Sequence, residues 1–97
     1  MRQSAYARIP VTIDGTEHTV YYNLLIHDLV TRGGTVAGEG CGVQVVLERC
    51  QTVVDTAECH CVTCCPAKIE RLLGLLHTHL VLPSTLHDVV SDLLESL

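Results

Sequence analysis

The stretch that most constrains this chain runs from Glu58 to Pro66 and reads ECHCVTCCP. Four of the six cysteines, Cys59, Cys61, Cys64 and Cys65, fall there, with only Cys41 and Cys50 elsewhere. Thiols this crowded bind metal, pair with one another or do redox work. Each outcome fixes the neighbouring backbone, so the fold has to be built around this segment. The need for such a fixture is real in a chain of 97 residues with no Phe or Trp and three tyrosines. A chain of this size buries only roughly 60–70% of its unfolded surface. Metals, disulfides or partner subunits often supply the missing stability in domains this small.

The leading reading of the cluster is zinc. Cys61 and Cys64 have the Cys-x2-Cys spacing that places two ligands on a tetrahedral ion without strain. Cys59 and Cys65 are the next candidates, followed by Cys41, Cys50 and His60, and by His77 and His79 downstream. One residue between His77 and His79 puts them on different helix faces, against the usual three to five. A metal here would be structural, its binding free energy contributing to folding. Cys61 and Cys64 before a helix would also suit a reactive dithiol, and six cysteines would allow three disulfides. These alternatives stay open at the level of sequence.

Around the cluster, periodicity predicts one α+β domain over residues 1–97. Ile9, Val11 and Ile13 alternate with polar residues as in a half-buried strand. Asp14-Gly15 is a turn signal, and His18 to Tyr22 returns as the second strand of a hairpin. Asn23 is placed to cap a short helix from Leu24 to Thr31, with Leu25, Ile26, Leu29 and Val30 as its apolar stripe. Five glycines between Gly33 and Gly42 predict a loop. Val43–Leu47 and Gln51–Val54 predict a second hairpin, turning around Glu48, Arg49 and Cys50. After the cysteine knuckle, Pro66 suits the first turn of a helix. Ile69, Leu72, Leu73, Leu76 and Leu80 then recur at helical spacing. Pro83 breaks that helix, and Ser84 is a natural cap for a second C-terminal one.

The chain resembles two known families in parts. Val11 to Val20, Gly40-Cys41-Gly42, and Cys61 to Pro66 followed by a Leu-rich helix are similar to parts of the small [2Fe–2S] subunits of the xanthine dehydrogenase family. That resemblance implies electron transfer through a [2Fe–2S] cluster. The chain departs from the family where Val43 to Glu48 holds no further cysteine and where the segment from Cys50 to Cys61 is short. Thr85 to Leu93 looks similar to a leader motif of small papillomavirus zinc oncoproteins, which implies a protein partner. There the motif is N-terminal and stands beside paired Cys-x2-Cys units, and here it is neither.

Function is bounded by what the composition disfavours. The net charge is −5, and the six basic residues are scattered, which disfavours a nucleic-acid footprint. No serine nucleophile elbow and no paired carboxylates suggest an enzyme. No apolar run approaches a membrane span. The N-terminus has no apolar h-region, which predicts an intracellular protein, cytoplasmic or nuclear. Leu86, Val90, Leu93 and Leu97 form a heptad-like seam. The expected function is therefore a zinc-stabilised protein–protein interaction module that binds a partner or itself, as a homodimer, through that seam.

Overall fold

The computed structural model describes residues 2–94, and for Cys61 and Leu94 it describes the backbone only. Four long strands come first: β1 (Arg2–Ile13), β2 (Thr16–Val30), β3 (Val36–Arg49) and β4 (Thr52–Thr63). They form one antiparallel sheet in the order β1-β2-β3-β4. Helix α1 (Pro66–Thr78), a 3-10 turn at Pro83–Thr85 and helix α2 (Leu86–Leu94) follow. The architecture is mainly β, with two short helices at the C-terminus. The expected α+β arrangement, with a helix inside the N-terminal half, is thus corrected.

The error lies at Leu24–Thr31, where β2 continues unbroken to Val30. Four apolar residues, Leu25, Ile26, Leu29 and Val30, fit a helix stripe and a largely apolar strand alike over so short a run, and periodicity alone does not separate them. What decides is the neighbour. Leu24 pairs with Val43 and Ile26 with Cys41, so β3 offers a hydrogen-bonding partner along the whole run. Asn23 does not cap anything, and its Nδ2 donates across the sheet to Gln44 Oε1 at 2.9 Å.

The glycine-rich segment is corrected for the same reason. The loop is confined to residues 31–35, closed by Thr31 N–H to Thr35 O at 2.9 Å and Gly34 N–H to Thr31 O at 3.0 Å. From Val36 onwards the segment is strand. Gly42 serves close approach rather than flexibility. At Gly42, a Cβ would run into the carbonyl oxygens of Cys59 and His60.

The helices cover one face. Val20 and Tyr22 of β2, and Cys41, Val43 and Val45 of β3, pack against Ile69, Leu72, Leu73 and Leu76 of α1 and against Val81, Leu86 and Val90. Pro66 opens α1 as the sequence predicts. The helix closes with Leu80 N–H bonded to His77 O at 3.3 Å and Val81 N–H to Leu76 O at 3.0 Å. This is a Schellman cap, with Leu80 rather than glycine at positive φ. Tyr22 ties the layers together: its hydroxyl donates to Val81 O at 3.0 Å. The far ends of β2 and β3 extend beyond the helices, and residues 31–39 are all exposed.

Candidate functional site

The cysteine cluster is not a free knuckle. Cys59 and Cys61 lie within β4, and only Cys64 and Cys65 fall between the strand and α1. Along the ladder, Val43 pairs with Cys59 but Cys41 pairs with Thr63. Two positions of β3 are therefore matched by four of β4, and the segment His60 to Val62 arches over Gly42 as a bulge. Bulges of this kind re-aim side chains. Here the result is that Thr63, the last residue of β4, is set opposite Cys41.

Cys41 is only 6% exposed, whereas Cys64 and Cys65 are exposed. Burial pushes the Cys41 thiol above its ordinary pKa, and the neighbouring Cys64 and Cys65 thiols push it further the same way. Cys41 and Cys64 both line a groove of about 370 Å³. Its walls are Leu24, Ile26 and Gly38 of the β2–β3 arm on one side, and Pro66 and Ile69 at the start of α1 on the other. Glu39 and Glu70 complete it, and no Lys or Arg is among its described lining residues. Arg2 pairs with Glu39 from β1.

The other predicted ligands are elsewhere. The Cys59 sulfur sits 3.4 Å from His87 Nδ1, a contact between β4 and the first turn of α2. Burial pushes the Cys59 thiol above its ordinary pKa. His60 Nε2 is 2.9 Å from Glu58 Oε2, and Glu58 in turn accepts from Gln44 at 3.3 Å. With Asn23, these residues make a polar ladder across the sheet face away from the helices. Cys50 sits in the β3–β4 turn at positive φ. The 12 residues of β4 separate it from Cys64 by roughly 35 Å. His77 stacks edge-on against Tyr22 with ring centroids 6.0 Å apart. Together with His79 it lies at the opposite end of α1, roughly 20 Å from Cys65. Among the described residues, no three His, Cys, Asp or Glu side chains are grouped to hold a metal ion. Of the zinc set expected from Cys59, Cys61, Cys64 and Cys65, with Cys41, Cys50, His60, His77 and His79 in reserve, the described side chains do not form such a group. The Cys61 side chain lies outside the described residues.

The predicted partner seam also divides. Leu86 is fully buried and Val90 is 5% exposed, so both are spent on the core. Leu93 is half-buried, and Leu97 lies outside the described residues. Nor does the [2Fe–2S] resemblance extend to its first cluster loop, because Cys41 is in mid-strand, paired to Ile26 and Thr63. Among the described residues, no helix is long and apolar enough to cross a membrane.

Sequence reasoning missed the groove and His87. Both depend on pairings far apart in the chain, between residues 24 and 43 and between residues 59 and 87. The one local signal was Gly42, whose missing side chain marks the close approach of β4. Comparison with curated proteins and with solved structures finds no match. A family model does match, over residues 4–96. The chain therefore belongs to DUF6514, a family of unknown function.

Proposed function

We propose that this protein is a small protein–protein interaction module whose binding surface is the groove between the β2–β3 arm and the start of α1. Its occupant is a cationic, apolar segment of a partner protein. The observation that carries this reading is the groove's make-up: aliphatic walls from Leu24, Ile26, Pro66 and Ile69, with Glu70 and the Arg2-paired Glu39 as the charged side chains among its described lining residues. A net charge of −5 reinforces the same preference by steering basic partners towards the molecule. Beyond the groove, Val30 and Val36 stand 62% and 57% exposed at the end of the arm. The reading does not call on zinc, because the described ligands are not grouped for it.

A fluorescently labelled synthetic Leu/Lys amphipathic peptide tests the proposal by anisotropy. It should bind, a Leu/Glu peptide of equal length should not, and Ile26→Lys should weaken binding by about tenfold. Val53→Lys, on the exposed far part of β4, should leave binding unchanged. Equal binding of both peptides, or equal loss in both variants, would contradict it. Sedimentation velocity on the same samples identifies the remaining occupant, a second copy of the chain.

A further inference from the structure

Cys41 and Cys64 come from strands distant in sequence yet line one groove. Neither is in a disulfide. Thr63 is the direct cross-strand partner of Cys41, so Cys64 lies one residue past a paired position. Cys64 lies just past the end of β4, so the alternation that would turn it to the opposite face does not hold it there, and it lines the same groove as Cys41. The two thiols differ in access: Cys64 is exposed and Cys41 is nearly buried.

We propose that Cys64 and Cys41 form a thiol–disulfide exchange site for small disulfides, with Cys64 attacking and Cys41 resolving. The exposed Cys64 thiolate attacks one sulfur of a small disulfide, RSSR. A Cys64–SR mixed disulfide forms and RS⁻ leaves. Cys41 then gives up its proton and attacks the Cys64 sulfur, expelling the second RS⁻. The two thiolates pick up the two protons lost by the cysteines. In sum, two protein thiols are oxidised to one disulfide while RSSR is reduced to two RSH. The cross-link would tie the segment before α1 to mid-β3, fixing one wall of the groove to its floor. This site does not depend on what the groove binds.

The test treats the folded, reduced protein with 2-hydroxyethyl disulfide, quenches with acid, and maps tryptic peptides without reduction. Cleavage after Arg32, Arg49 and Lys68 separates residues 33–49, which hold Cys41, from residues 50–68, which hold the other five cysteines. The expected product is these two peptides joined, two mass units lighter than their sum. Cys64→Ser, at an exposed position, should abolish the joined species. Cys50→Ser and Cys65→Ser should retain it, and the oxidised protein should melt several degrees higher than the reduced one. Two thiols consumed with no joined species, or a joined species undiminished in Cys64→Ser, would overturn the proposal.

Discussion

Tyr22 shows how much one residue holds together here. It is fully buried, and its hydroxyl reaches across from the sheet to the backbone of Val81. Tyr22→Phe leaves that carbonyl buried without its donor, which should cost about 1–2 kcal/mol in denaturant unfolding. Burial pushes the Tyr22 pKa up to about 12, against about 10 in an unfolded chain. Between these values the unfolded state releases a proton that the folded state keeps, so stability falls as pH rises. Melting curves should therefore show a loss between about pH 10 and 12 that is absent in Tyr22→Phe. Two other residues sit in backbone conformations that suit glycine or asparagine better. Cys50 and Gln51 both have positive φ in the β3–β4 turn and both are exposed. The first hairpin meets the same demand with Asp14-Gly15. Replacing Cys50-Gln51 with Asn-Gly should stabilise the protein by about 1–2 kcal/mol, raising Tm by roughly 4–8 °C per kcal/mol.

At the scale of elements, the bulge of β4 is the feature on which the thiol geometry rests. Gly42→Ala would push a methyl group into the Cys59 and His60 carbonyls. It should destabilise by about 3 kcal/mol or more, and backbone amide shifts should change most at residues 59–63. The elements differ in how readable they were. The first hairpin and α1 carry their own signals, in Asp14-Gly15 with alternating flanks and in Pro66 before a Leu stripe. The second hairpin was legible in outline, but its turn was misplaced by a residue or two because Cys50-Gln51 lacks the expected turn chemistry. The second half of β2 was not legible, because Leu25, Ile26, Leu29 and Val30 fit a helix stripe as well as a strand. Only the ladder with β3 settles the choice, and sequence periodicity does not report a pairing partner. The thiol cluster was visible as a composition. Which thiols share a groove was not, since Cys41 comes beside Cys64 only through the β3–β4 ladder and Cys59 turns to His87.

For the molecule as a whole, the sheet is longer than the helices that cover it. The long axis is 52 Å, and the core collects at Val20, Tyr22, Val43 and Val45 under α1. Hydrogen exchange should accordingly be slowest at those four amides and much faster at Leu29 and Ala37 on the uncovered arm. Equal protection at both ends would mean that the arm is held by something other than its own ladder. This division gives the molecule a stable half and an open half, and the groove lies where they meet. The most direct test of its role is an amide-resolved NMR titration with the Leu/Lys peptide. The account predicts saturable shifts at Leu24, Ile26, Gly38, Cys41 and Ile69, with Thr12, Thr52 and Val53 unmoved. Saturable shifts centred on the polar face at Asn23, Gln44 and Glu58, or on α2, would contradict it.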